Sequence, residues 1–577
     1  ELKITYIMAQ QEEKKKDVEN NMNKEYNDYD KKDTSKNFEE YMKRYQNFER
    51  NITPFPIESN SIILSDKLSP LQDDIYRHMT QTYPICHGGT LSLAYQFLLI
   101  KRKYGSEVEK ALYKDMTLIQ LFNRISTKRA VVFYQKYDSY MLRNGRKGAS
   151  NWESVGTDFE SMDSNASTPK LQDYMSYDEL FLSAMCGVSS PTHFINDGDR
   201  RNNGRFDKQG GVYPMEGIYM GLIGARFEKP YVMEYSLMLV TKDQNTKDRG
   251  YGAYDEEKDP NLDRLQKAIS DEYCLKQVEA AKKQNASKPP IRNVFESFYS
   301  RPHLPLYDEI KSQINNSQEL SKRYFEDSRR YGQNKPFIDI EMFKRRVRIS
   351  LELFLFDSDN RSKQQNKKGF CHLVGLGAGY WSFNKKFQDE EMVKVVLEIV
   401  RDSCLPNISC IYFAWFDDNA QNLNELKKQK DEFIETDKSG NKIILQFGRR
   451  NPAEPLNGAF KDNLLCACYA WDGNSFVGNE YWLGRDMLSA SGDPAAAACS
   501  TISYTQNSEF NKEYVNGANT MFYFFDPTQG QYSFIKLKDI DFEKNKEKWL
   551  KKSVLSIPYK RNTINDVGNG NKNDNNK

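Results

Sequence analysis

Along this chain apolar positions gather into short runs set between long polar stretches, and the texture of those runs changes near residue 190. Residues 1–58 are rich in Lys, Glu and Asn and predict a polar extension with nothing to pack. Ser69-Pro70-Leu71-Gln72 reads as a capping box with proline at the first helical position, so a helix is expected to run toward Thr82. A second helix is expected over 91–103, stopped by Gly105. Ser106 with Glu109, and Ser176 with Glu179, are further capping boxes, and helical signal fills 117–125 between them. Residues 59–190 therefore predict a helical subdomain whose middle, 150–169, is a polar loop.

Beyond Pro191 the pattern predicts strands punctuated by glycine: 218–227 (IYMGLIGARF), 233–241 (MEYSLMLVT), 351–356, 409–416, 464–470 and 520–525. At 370–381 an apolar run ends in Gly375, Gly377 and Gly379. The following 389–401 carries Met392, Val395, Val396, Ile399 and Val400 on one face, an amphipathic helix. Strand, glycine loop, helix and strand make a crossover long enough for parallel pairing, which points to an α/β fold. Residues 417–450 read as a charged excursion, and 541–577 as a polar, largely disordered tail.

Composition narrows the function. The 83 basic and 81 acidic residues are interleaved, so no global field recruits nucleic acid or a membrane. No apolar run is long enough to span a bilayer, and the weakly apolar start lacks a cleavage region, so a soluble cytoplasmic protein is expected; it is also expected to be a monomer. The 9 cysteines show no CxxC spacing and sit largely in apolar runs, which predicts reduced, buried thiols rather than a disulfide frame. None of the 5 histidines pairs at metal-ligand spacing, and no zinc site is expected.

Candidate chemistry lies at the loops. Backbone N–H groups around Gly375, Gly377 and Gly379 can cradle a pyrophosphate, or simply form a tight turn. The spacing is neither GxGxxG nor a P-loop, and Asp389, Glu390 and Glu391 at the expected helix start would repel phosphate from its tip. The segment with Gln244, Asn245, Gly250, Tyr251 and Gly252 can hold a ribose or diphosphate edge, or be a surface loop. Asp472, Glu480 and Asp493, crowded by Trp471, Tyr481, Trp482 and the amides Asn474 and Asn479, can divide acid and base roles. Their bland readings are a turn at Asp472 and a helix cap at Asp493. Within 196–205, Asp197, Asp199, Arg200, Arg201 and Asn202 form a surface network or read a charged substrate. Cys86-His87 places its two groups side by side in sequence, where they seldom face one another as nucleophile and base.

In this order the strings THFINDGDRRNNG, GLIGARFEKP, MEYSLMLVT with QNTKDRGYG, HLVGLGAGYW, WDGNSFVGNEYW and SASGDPAAAACS resemble the MavL-like ADP-ribosylhydrolases, a diverged branch of macrodomains distantly similar to poly(ADP-ribose) glycohydrolase. The resemblance covers roughly 190–530. It implies a macrodomain-like α/β/α sandwich with a mixed central sheet over 191–540, and a cleft for ADP-ribose. It implies removal of ADP-ribose from arginine of a protein, with ubiquitin a candidate acceptor, and no cofactor beyond ADP-ribose as ligand and product. Asp472, Glu480 and Asp493 are then the catalytic candidates. Gln244, Asn245, Gly250, Tyr251, Gly252, Gly375, Gly377, Gly379, Tyr380, Trp381, Asn474 and Asn479 are the ligand-binding set, with Asn196, Asp197 and Arg200 on the substrate. The GGG and QEE strings of the poly(ADP-ribose) enzymes are missing, which favours single ADP-ribose units. A non-catalytic ADP-ribose reader is the alternative, since a fold alone does not imply catalysis.

Overall fold

The computed structural model describes residues 72–142, 146–149, 152–160, 169–194, 216–252, 290–299, 304–327, 334–429, 433–475, 501–508, 510–514 and 516–556, with Lys43. Among them the strands are β1 (Tyr83–His87), β2 (Val132–Tyr134), β3 (Ser139–Met141), β4 (Lys147–Gly148), β5 (Cys186–Thr192), β6 (Gly217–Leu222), β7 (Leu239–Val240), β8 (Tyr324–Glu326), β9 (Phe337–Asp339), β10 (Gly369–Val374), β11 (Ile408–Ala414), β12 (Phe433–Thr436), β13 (Lys442–Gly448), β14 (Leu464–Ala470), β15 (Met521–Asp526) and β16 (Gln531–Lys536). Ten form one mixed sheet in the order β12-β13-β11-β10-β14-β6-β5-β1-β15-β16. From β13 to β6 the five neighbours run parallel. Beyond them β5 is antiparallel to both β6 and β1, and β1 is parallel to β15. The remaining six strands make two small three-stranded sheets.

Helices cover both faces, as side-chain alternation along β15 shows. Tyr523 donates to the Asp357 carboxylate of the long helix Ile340–Gln364 at 2.6 Å, and Phe525 stacks on its Phe356. The intervening Phe522 and Phe524 point the other way, to Phe122 of the helix Leu118–Thr127 and Trp549 of the helix Lys546–Leu555. Residues 541–556, expected within a polar tail, thus begin with a docked helix. Each such aromatic removed from water contributes about 1.5–3 kcal/mol.

The sequence locates β10, β11, β14 and β15 to within a residue or two and the start of β6, while β1, β5 and β16 go unforeseen and the expected charged excursion at 417–450 contains β12 and β13. The capping boxes at Ser106 and Ser176 both close as expected. Two expected strands are helices. Residues 351–356 lie inside Ile340–Gln364, and Met233–Met238 is a short helix leading into β7. Both are short apolar runs buried on all sides, where period gives no distinction between strand and buried helix. The 59–190 segment supplies β1 and most of β5 to the main sheet, so the expected boundary at 190 falls inside a strand.

One cysteine expectation is overturned. Cys86 and Cys186 face each other across the antiparallel β1–β5 pair, Cα atoms 4.6 Å apart, and are joined as a disulfide. Their 100-residue separation hides the pairing from any local spacing rule. Cys371, Cys410, Cys466 and Cys468 are free and buried, as expected. Among the described residues no helix is long and apolar enough to cross a membrane.

Candidate active site

Parallel pairing brings the carboxyl ends of β10, β14 and β6 side by side, and each strand leaves the sheet into a loop on the same edge. In open α/β sheets this edge is where ligands bind. The loop after β10 carries the glycines, and that after β14 carries Asp472. The extension after β6, 223–228, is wedged between them. Its fit depends on missing side chains: a Cβ on Gly224 would lie 2.4 Å from the Gly377 nitrogen, and one on Gly377 would lie 2.5 Å from the Ala225 oxygen. Gly377 also has φ +70°, so two independent constraints require glycine there. Phe227 N–H donates to the Trp381 carbonyl at 3.2 Å, tying the two loops.

Two buried arginines hold the extension. Arg346, on the long helix, donates to the carbonyls of Ile223 (2.9 Å) and Gly224 (3.2 Å) and pairs with Glu234 at 2.9 Å. Arg226 donates to the Asp472 carbonyl (3.1 Å), the Asn474 side-chain oxygen (2.8 Å) and the Leu180 carbonyl (3.1 Å). Removing one partner of such a buried charged set typically costs about 3–5 kcal/mol, because the remaining charge stays out of water. These arginines therefore set the position of Glu228 at the end of the extension.

The Asp472 side chain is half-buried and forms the turn. Its Oδ1 accepts from the N–H groups of Asn474 (2.9 Å) and Ser475 (3.2 Å), and its Oδ2 from the Ser475 hydroxyl (2.9 Å). Burial pushes its pKa up, and these bonds and Arg129 pull against that. Arg129 stacks over the Trp471 ring at 4.5 Å and donates from Nη2 to the Ile125 carbonyl, while its Nε and Nη1 have no hydrogen-bond partner among the described residues. Glu228 is, like Asp472, half-buried at the cleft. Burial, reinforced by the Asp472 charge, pushes its pKa up to about 8 against the pull of Arg226, Lys136 and Lys229. At the mouth, Lys136 lies beside Tyr137, Tyr380 and Glu228, which raise its pKa.

Of the sequence candidates, the structure brings together Asp472, Asn474, Gly375, Gly377, Gly379, Tyr380 and Trp381. Asn474 is buried and serves Arg226, so its role is to fix the turn. A Cβ on Gly379 would meet nothing within 4 Å, and Tyr380 is 71% exposed. The expected phosphate-repelling helix start is corrected: the helix is Lys385–Asp402, capped by Asn384 with no acid in its first turn. Asp389 lies one turn in, buried against Lys385 and the Asp417 N–H. His87 hydrogen-bonds Glu352 at 2.8 Å, not a thiolate.

The 244–252 loop departs from expectation. The Asn245 side chain accepts from Thr241 N–H and donates to the Pro305 carbonyl, both at 3.0 Å. Gln244 donates to the Leu239 carbonyl, and the buried Tyr251 hydroxyl to the Ser236 carbonyl. Gly252 N–H donates to the Leu304 carbonyl, while Gly250 is a left-handed turn residue. These groups hold their own turn together. The loop still adjoins the cleft, because Arg249 stacks 4.3 Å over Tyr231 in the loop after β6. Glu480, Asp493, Asn479, Asn196, Asp197 and Arg200 lie outside the described residues. Among the described residues no cluster of three His, Cys, Asp or Glu is placed to hold a metal ion.

Sequence reasoning passed over Arg129, Arg226 and Glu228. For Arg226 and Glu228 the available signal was GARFEKP itself, the first charged residues after a fully apolar strand and so the first side chains able to enter a cleft at its end.

A family model described as ADP-ribosylhydrolase MavL-like matches residues 39–527. A Drosophila melanogaster protein named an ADP-ribosylarginine hydrolase is 32% identical over 449 residues, 78% of this chain and 79% of the relative. A second Drosophila melanogaster protein with the same description is 28% identical over 474 residues, 81% of this chain and 84% of the relative. This chain is an enzyme, and it belongs to the MavL-like ADP-ribosylhydrolase family.

Proposed function

We propose that this hydrolase releases single ADP-ribose units from arginine side chains of a protein by cleaving the N-glycosidic bond. The names of the two Drosophila relatives support the arginine linkage. The observation that carries the reading is the convergence of the glycine loop, the Asp472 turn and Glu228 at the carboxyl ends of three adjacent parallel strands. A cleft at that edge, beside exposed glycine backbone and an aromatic residue, suits a nucleoside diphosphate joined to a second sugar. It is also what a macrodomain-like reading expects. Ubiquitin is a candidate acceptor and the cytoplasm the proposed compartment.

The chemistry assigns roles. The leaving arginine is already a guanidinium, so it needs no proton to depart. The C1″–N bond breaks with its electron pair going to nitrogen, and C1″ gains oxocarbenium character. Water oxygen then bonds to C1″, and the proton it loses must reach the departing guanidine. A carboxyl with pKa about 8 at the cleft suits that shuttle, because general bases work best near the operating pH. Glu228 is therefore proposed as the base, with Asp472 holding the turn and lending negative charge below C1″. Glu480 and Asp493 remain candidates for the same charge stabilisation.

The test is to incubate the protein with acceptors carrying ADP-ribose on arginine, on serine or on glutamate, and to measure free ADP-ribose. Release from arginine alone is expected. Release from serine or glutamate but not arginine would overturn the reading. Asp472→Asn, which keeps the turn's acceptor oxygen, is expected to retain ADP-ribose binding and lose turnover; full activity would remove its charge from the mechanism.

A further inference from the structure

Large apolar side chains exposed to solvent are few among the described residues, and most cluster at one place. Five of the seven, Tyr134, Tyr137, Tyr231, Tyr380 and Trp415, sit on segments at or next to the carboxyl edge of the parallel strands. Tyr137 is 61% exposed and Tyr380 71%, and both neighbour Lys136. Tyr231 is 45% exposed under the Arg249 guanidinium, and Trp415 lies 5.9 Å from that of Arg449. Nothing in the grip on ADP-ribose requires aromatic surface spread this widely around the mouth. Rigid tyrosines with a cation laid across them are what protein-recognition surfaces enrich, since they offer large contact area at little entropic cost.

We propose that this aromatic and basic rim is the docking surface for the acceptor polypeptide, and that it selects arginines set in acidic surroundings. The occupant is argued from continuity with the cleft. An ADP-ribose seated at the carboxyl edge with C1″ toward Glu228 leaves the acceptor chain at the mouth, against Tyr137, Tyr231 and Tyr380. Its charge is argued from the cations: Lys136, Arg249 and Arg449 are exposed beside the rim aromatics. Aspartates or glutamates flanking the modified arginine complement them, and flanking lysines are repelled. This inference rests on the protein-acceptor part of the proposed function but makes its own demand on sequence context.

The experiment compares three probes on the full chain: ADP-ribosylarginine alone, a peptide with ADP-ribosylarginine flanked by aspartates, and the same peptide flanked by lysines. Binding is measured for the wild type and for Tyr137→Ala combined with Arg249→Glu, two exposed changes outside the catalytic machinery. The wild type is expected to prefer the aspartate peptide over the lysine peptide about tenfold, and the double variant to lose that preference while binding ADP-ribosylarginine within about twofold of wild type. The preference should weaken with added salt. Equal weakening toward all three probes, or no weakening toward the aspartate peptide, overturns the docking surface. A parallel series with ADP-ribose on serine separates the two ideas. A wild type that ignores the arginine probes yet ranks serine-linked peptides in the same charge order overturns the arginine reading and keeps the rim.

Discussion

The loops at 244–252 and 375–381 look alike as sequence, each a glycine-rich stretch with an amide or aromatic residue following an apolar run, and the folded chain uses them oppositely. In the first, Gln244, Asn245 and Tyr251 turn inward and satisfy carbonyls and N–H groups of their own neighbourhood. In the second, Gly377 makes the close contact with the β6 extension, while Gly379 and Tyr380 stay open to the cleft. A loop can grip a ligand only with hydrogen-bonding groups it has not already committed to holding its own shape. Glycine and amide content measures neither.

That contrast is open to direct attack. The largest effect is expected at Glu228, which the open loop frames: Glu228→Gln should lower kcat by about 10²–10⁴, the usual worth of a general base, with ADP-ribose affinity kept in calorimetry. Because the ionised form is the base, kcat/KM should rise with pH and level off above about 8, the value to which burial lifts Glu228. The kcat limb should lie at lower pH, since the bound guanidinium favours the carboxylate. A rate that falls above pH 8 would instead make Glu228 an acid.

Next comes Gly377→Ala, which meets the Ala225 oxygen at a left-handed φ and should cost about 1–3 kcal/mol of stability along with ADP-ribose binding. Asn245→Ala sharpens the other side: a loss of about 1–3 kcal/mol in denaturant unfolding from orphaned backbone groups, with ADP-ribose affinity unchanged. If Asn245→Ala abolished binding while leaving stability intact, the two loops would exchange roles. Smallest is Gly379→Ala, whose added methyl meets no protein atom. Its melting temperature should match the wild type, and only ADP-ribose affinity should drop, by a few-fold, where the ligand approaches the backbone.

Much of this architecture is legible in the chain. Short apolar runs bounded by turn residues give β10, β11, β14 and β15 within a residue or two, and side-chain-to-backbone boxes give helix starts at Ser106 and Ser176. Asp472 is visible as a carboxylate at a strand end, with both its turn-forming and its chemical reading open. What escapes is whatever depends on partners far along the chain. The Cys86–Cys186 bond, the helical state of 351–356, and the clamping of 223–224 by Arg346 are set by tertiary surroundings rather than local pattern. Glu228 escapes for the same reason, since nothing local to GARFEKP announces that Asp472 will lie beside it.

The placement of β1 has a consequence for how the protein is made. Its neighbours are β5 on one side and β15 on the other, the latter more than 400 residues downstream. While a ribosome is still adding the intervening chain, one flank of β1 has no hydrogen-bonding partner. That half of the sheet can close only after β15 has been made, which slows folding and exposes a bare strand edge to aggregation meanwhile. Heterologous production should therefore favour low temperature and abundant chaperones, and any version shortened before β15 should accumulate as insoluble material.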